Sequence, residues 1–210
     1  MKPNAILLFV LLTALSASGQ SQADTFIKEA QDFLVKKEYK QAQLSLQDAI
    51  NDINMLIGAQ IAASMPDDIN GLKSDGKGDI NSAAMGMMGG GMQITKTYHH
   101  ATNKENDAEV QILANSPLLS SMSMYLTNPA MLGPEYKSVR VGTNRVILKS
   151  EMEDYYGDGS AGKKIRSTEI QIPLSQTLIT IHANGFASEQ DELAFAAKLD
   201  LEKIRTALGE

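Results

Sequence analysis

Between residues 26 and 61 the apolar positions recur every three to four residues, and after residue 92 they recur every two. Phe26, Ile27, Ala30, Phe33 and Leu34 share one helical face behind an N-cap at Asp24-Thr25. Lys36-Lys37-Glu38 interrupts that face. Tyr39, Ala42, Leu46, Ala49, Ile50, Ile53, Leu56, Ile57 and Ile61 then continue as a second, longer stripe. Two amphipathic helices with a short join predict a helical hairpin over residues 24–65, ended by Pro66. Residues 69–72 suit a short edge strand, and residues 74–81 have loop chemistry.

Beyond Met92 the alternation predicts strands. Met92, Ile94 and Tyr98 alternate with Gln93, Thr95 and Thr97, and a second strand carries Val110 and Ile112. Ser116-Pro117 starts a helix with Leu118, Leu119, Met122, Tyr125 and Leu126 on its apolar face. Residues 138–141 and 145–152 predict one hairpin, and residues 167–174 and 177–183 another, with a long polar tip over 153–164. A single final helix is capped by Ser188 and buries Leu193, Ala197, Leu201, Ile204 and Leu208. The expected fold class is α+β: an N-terminal helical hairpin, a linker over 66–91, and an antiparallel sheet of about five to seven strands flanked by helices over 92–210. The element order is that of a PsbP-like sandwich, an analogy of fold that carries no function.

The first residues change the picture of where the chain resides. Lys2 precedes the apolar run of residues 5–12, and small residues follow through Gly19. That order predicts a secretory signal peptide over residues 1–23, cleaved after Ala23 or alternatively after Gly19. The run is too short to span a bilayer, which takes about 20 apolar residues. The expectation is therefore an exported, periplasmic or secreted protein with no transmembrane segment after cleavage. The chain has no cysteine, so it carries neither a lipobox nor a disulfide. Loss of Lys2 on cleavage takes the formal charge from −6 to −7, and an acidic chain without a basic cluster does not suit nucleic acid.

The most unusual composition lies at residues 83–92, Ala-Ala-Met-Gly-Met-Met-Gly-Gly-Gly-Met. Thioethers suit Cu(I), so Met85, Met87, Met88 and Met92 with His99 or His100 form the candidate metal set. Methionine also makes adaptable contact surfaces, which offers Met87 and Met88, together with Tyr39, as candidate contacts to a protein or envelope partner. His99 and His100 point to opposite faces of a regular strand, and His182 lies across from Ile179 and Ile181, so a three-histidine zinc site is not expected.

Other motifs fail on context. Gly157-Asp158-Gly159-Ser160-Ala161-Gly162 matches G-x-G-x-x-G and, with Lys163-Lys164, nearly a P-loop. Both motifs need a helix after the glycines, and here a strand follows. Asp75 with Asp79, and Asp154 with Asp158, lack the alternating acids and closing Glu of a calcium loop. No nucleophile elbow or cysteine nucleophile is present, so no catalytic residue and no cofactor is assigned.

Two resemblances add to this reading. Glu29-Ala30, Lys37-Glu38-Tyr39-Lys40-Gln41-Ala42, Leu46 and Ala49-Ile50 resemble one tetratricopeptide unit without a second copy. Ala62-Ala63-Ser64-Met65-Pro66, Gly89-Gly90-Gly91 leading to Thr97-Tyr98, the run from Ile112 to Leu119, Asn128-Pro129-Ala130-Met131 and the closing strand 177–185 have a combined order. That order resembles a group of uncharacterised bacterial exported, periplasmic proteins over most of residues 30–205. The chain departs from that group at Gly71-Leu72, where an aromatic commonly follows the glycine. The resemblance implies location and architecture and transfers no catalytic residue. The functional expectation is an exported, non-enzymatic binding or envelope-associated protein. Copper handling is the alternative, and a hydrolase stands lowest.

Overall fold

The computed structural model describes residues 21–76, 78–81, 91–115, 119, 128, 131, 133–155 and 162–210. Four sequence expectations therefore lie outside the described residues: the leader through residue 20, the Met/Gly segment over 82–90, most of the helix expected from Ser116, and the glycine-rich tip over 156–161. The chain forms two compact units, the first ending at Ala49 and the second running from Ile50 to Glu210.

In the first unit, α1 (Gln22–Val35) begins at an N-cap, Ser21, whose hydroxyl accepts from the backbone N–H of Asp24. It ends at Lys36, and Lys37 turns the chain with a left-handed φ of 58°. Glu38 N–H donates to Phe33 O at 2.9 Å, satisfying a carbonyl that the end of α1 would otherwise orphan. The next helix, α2 (Tyr39–Ser64), completes the expected hairpin. The buried side chains here are small: Ala23, Ala30, Ala42, Ser45 and Ala49. The large apolar residues expected at this seam face outward instead, with Tyr39 at 65% and Leu46 at 44% exposure. On α2 the buried Ala42, Ser45 and Ala49 recur at spacings of three and four and so share one face of the helix.

The second unit begins within α2 and carries the sheet. Among the described residues the sheet has nine strands, more than the sequence pattern suggested. They are β1 (Asp68–Ile69), β2 (Leu72–Ser74), β3 (Asp79–Asn81), β4 (Met92–His100), β5 (Asp107–Ala114), β6 (Tyr136–Val141), β7 (Asn144–Tyr155), β8 (Lys163–Pro173) and β9 (Thr177–Asn184). All pairings are antiparallel, in the order β1-β2-β4-β5-β9-β8-β7-β6, with β3 also paired to β4. The extra strands come from residues 66–91, where the one short edge strand expected over 69–72 is instead two strands divided at Asn70-Gly71. Asn70 and Gly71, with φ of 54° and 89°, make the two-residue turn that folds β1 onto β2. The polar tip is also shorter than expected, because Asp154 and Tyr155 still pair with Lys164 and Lys163.

One face of the sheet is the core. Ile94 and Tyr98 of β4, Val110 and Ile112 of β5, Ile179 and Ile181 of β9, and Ile170 and Ile172 of β8 are all fully buried. The C-terminal helices pack here as two, α3 (Glu189–Ala196) and α4 (Leu201–Leu208), where a single helix was expected. Asp200 caps α4 by accepting from Lys203 N–H, and the restart lets Phe195, Ala196, Leu201 and Ile204 all enter the core. Phe195 meets Tyr98 and Phe186 edge-on, at centroid distances of 5.4 and 5.8 Å.

A charged clamp fixes α3. The carboxylate of Glu192 is fully buried and takes both Arg166 Nε (2.6 Å) and Nη2 (3.1 Å), with Thr168 Oγ1 at 2.7 Å. Arg166 Nη2 also donates to Ser150 Oγ at 2.8 Å. Arg166 is part-exposed and keeps Ser150 and, at 3.9 Å, Glu189, so Glu192→Ala should cost about 1–3 kcal/mol. We expect a lowered urea midpoint with an unchanged slope, and an unchanged midpoint would show that the clamp carries no stability.

Candidate functional site

The alternation of β4 assigns Met92, Ile94, Lys96 and Tyr98 to the core face, so one lysine sits in an otherwise apolar register. Its neighbours across the strands are Val110, then Ile181, then Ile170. A buried ammonium is costly unless it is fully paired. Lys96 meets that demand: Nζ donates to Met65 O at 2.9 Å and to Asp67 Oδ1 at 2.9 Å, and it lies 3.5 Å from Ala62 O. Ala62 lies in the last turn of α2, which has no basic residue of its own, and Met65 directly follows that turn. The ammonium therefore supplies both the missing donors and the positive charge that a helix C-terminus favours.

Tyr98 completes the clasp. Its hydroxyl donates to Pro66 O at 2.9 Å, while Lys96 Nζ lies 5.8 Å from the centre of its ring. Burial pushes the Tyr98 phenol well above its ordinary value, so it acts as a neutral donor. Asp67 is held below the usual carboxylate range, first by its hydrogen bond with Lys96, then by the charge of Lys96, then by the hydroxyl of Ser74.

Beside this clasp the second unit has an open cleft of about 950 Å³, within the size range of small-molecule sites. Its wall is the last two turns of α2, through Ala59, Ala62 and Ala63, facing Ile80 of β3 and the glycines at 76 and 78. Asp67, Lys73, Ser74 and Lys96 supply its polar lining. The distance between α2 and the sheet is set at Gly58, where a side-chain carbon would stand 2.5 Å from Ile80 Cγ2 and 3.1 Å from Met92 Sδ. A second hollow of about 400 Å³ shares Gly76, Gly78 and Lys96 and adds Asp75, Asp79 and Thr97.

The residues singled out from sequence do not converge on this cleft or on one another. Met85, Met87 and Met88 lie outside the described residues. Met92 is 1% exposed in the core, and His99 points to the opposite face, where its Nε2 lies 3.0 Å from Asp75 Oδ2. His100 shares the face of Met92 but lies eight residues along the strand, about 27 Å away at ~3.4 Å per residue. Its Nδ1 accepts from the N–H groups of Thr102 and Asn103. His182 is exposed on the outer face, between Glu109 and Glu169 of the neighbouring strands. Among the described residues, no three His, Asp or Glu side chains are grouped to hold a metal. Tyr39 is exposed at the start of α2. Lys96 was the residue that sequence reading missed, although a lysine between Ile94 and Tyr98 at an inward position was a visible signal.

Lys96→Met keeps the stem volume and removes every donor, leaving two helix carbonyls and Asp67 without their partner. We expect a loss of about 2–3 kcal/mol in urea unfolding. Lys96→Arg should not restore it, because a planar fork cannot serve three oxygens converging on one nitrogen. Wild-type stability in either variant would refute the clasp.

Comparison with protein-family models, with curated proteins and with solved structures finds no match to this chain.

Proposed function

We propose that this protein is an exported, non-enzymatic binding protein whose ligand occupies the cleft beside the end of α2. The observation that supports this best is the division of labour within the cleft. Alanines, glycines and Ile80 provide a smooth apolar wall, while the ammonium at its polar end is spent on helix carbonyls and Asp67. A lysine so engaged shapes a cavity and is not available as a nucleophile or base. Export is supported by the basic, apolar and small-residue order of the first residues, and it is what the resemblance to the bacterial periplasmic group implies. Among the described residues no helix is long and apolar enough to cross a membrane.

The neutral apolar fluorophore N-phenyl-1-naphthylamine tests the cleft. Ala59 and Ala63 are exposed one turn apart on α2, so the Ala59→Leu/Ala63→Leu variant fills the cleft from its wall. We expect the wild type to bind the fluorophore and the variant to bind it at least fivefold more weakly. Equal binding by the two proteins would remove the cleft as the ligand site.

The cap of α1 discriminates between the two cleavage positions. Cleavage after Ala23 would remove Ser21, whose hydroxyl caps the helix, and the buried Ala23, whereas cleavage after Gly19 spares both. Losing a Ser cap costs roughly 1 kcal/mol. We expect N-terminal sequencing of the exported form to begin at Gln20, and a start at Asp24 would show that the cap is dispensable.

A further inference from the structure

We infer that the ligand of this cleft is a cationic amphiphile, an apolar body carrying an ammonium head that is received by Asp67. The inference rests on the cleft being the ligand site and concerns which chemistry the cleft selects.

The geometry separates the two charges at the polar end of the cleft. Lys96 is 2% exposed and Asp67 is 88% exposed, so the negative partner faces solvent and the positive one is enclosed. All the acceptors around Lys96 Nζ belong to the protein, namely Met65 O, Asp67 Oδ1 and the more distant Ala62 O. An ammonium has three protons to donate, so Lys96 has none to spare for an anionic head. Asp67 is arranged in the opposite way. Its Oδ1 accepts from both Lys96 Nζ and Ser74 Oγ, whereas its Oδ2 accepts from no described residue. One carboxylate oxygen is thus anchored, and the other is presented at the end of an apolar wall.

Among the described residues, the other charged groups near the cleft lie on the opposite face of the sheet. Lys73 also borders the cleft, but it pairs in register with His99, which lies on the sheet face opposite Lys96. Asp75 and Asp79, in the adjoining hollow, belong to that same opposite face and do not line the cleft. Asp75 lies 3.0 Å from His99 Nε2, while Asp79 is exposed. Asp67 is held ionised by its neighbours, so its charge persists across neutral pH. An alkyl body contributes affinity through burial on the alanines and Ile80, and the head contributes selectivity.

The test compares three probes with one tail: decylamine, decanol and decanoate, titrated calorimetrically below their micellar concentrations into the full-length mature protein. For an exposed pair the expected preference for the amine over the alcohol is about two- to fivefold, shrinking as salt is added. Decanoate should bind more weakly than decanol. Asp67→Asn keeps an oxygen for Lys96 and Ser74 while removing the charge, and thermal melting verifies that it is folded. In that variant the amine should lose its advantage while decanol binds as before. If decanol and decanoate bind the wild type as tightly as the amine, or if Asp67→Asn leaves the amine preference intact, the cationic head is refuted and the cleft stands. If no probe binds, or if Ala59→Leu/Ala63→Leu leaves all three unchanged, the cleft itself falls and this inference falls with it.

Discussion

A single buried ammonium holds the second unit in its arrangement. Without a donor at the end of α2, the helix would present orphan carbonyls to an apolar sheet face, and each such group costs about 1–3 kcal/mol. Without those carbonyls, Lys96 would keep only Asp67 as an acceptor in an apolar register beside Val110. Each element removes the other's penalty, so the two are stable only together. Pro66 contributes by stopping the helix where its carbonyls can reach β4, and its own carbonyl receives Tyr98. The cleft is a by-product of this bond: the clasp fixes one end of α2 against β4, and Gly58 fixes how closely the preceding turns approach β3.

The second charged cluster works by a related but separate logic. Glu192 and Arg166 bind α3 to β8 through a bidentate pair, with Thr168 and Ser150 absorbing the remaining hydrogen-bonding capacity. Replacing such a pair by well-packed apolar residues often stabilises a protein. What the pair adds is register, since the fork geometry of Arg166 accepts the carboxylate in one orientation only. Together the two clusters connect helices from both ends of the unit to the same sheet face, one through β4 and the other through β8.

Much of this architecture was legible in the alternation of residues. The hairpin, the α+β class and the six longer strands follow from periods of 3.6 and 2, which the backbone imposes directly. The misses have physical causes. The strands β1 and β3 are two and three residues long, too short to show a period, and β1 is made by the Asn70-Gly71 turn and not by propensity. The break between α3 and α4 lies at a cap, Asp200, inside a run whose apolar spacing continues nearly unbroken. The hairpin's apolar stripe was read by size, whereas the buried residues of α1 and the first half of α2 are alanines and a serine. The candidate site was hidden because the methionines drew attention by composition, while Lys96 mattered by position. A lysine in a strand reads as solvated until the facing of its neighbours is taken into account.

The clasp also leaves a mark in the text of the chain. Its parts are Met65-Pro66-Asp67 at a helix end and Lys96-Thr97-Tyr98 on an inward strand, with partners 29 to 32 residues apart. Each half is unremarkable by itself, since a proline after a helix and a lysine in a strand are both common. As a pair they form a compound signature whose spacing is set by the intervening edge strands and whose chemistry is set by a helix end that lacks donors. In this chain the two halves, with Val110 across from the lysine, tie the end of a helix to one particular strand.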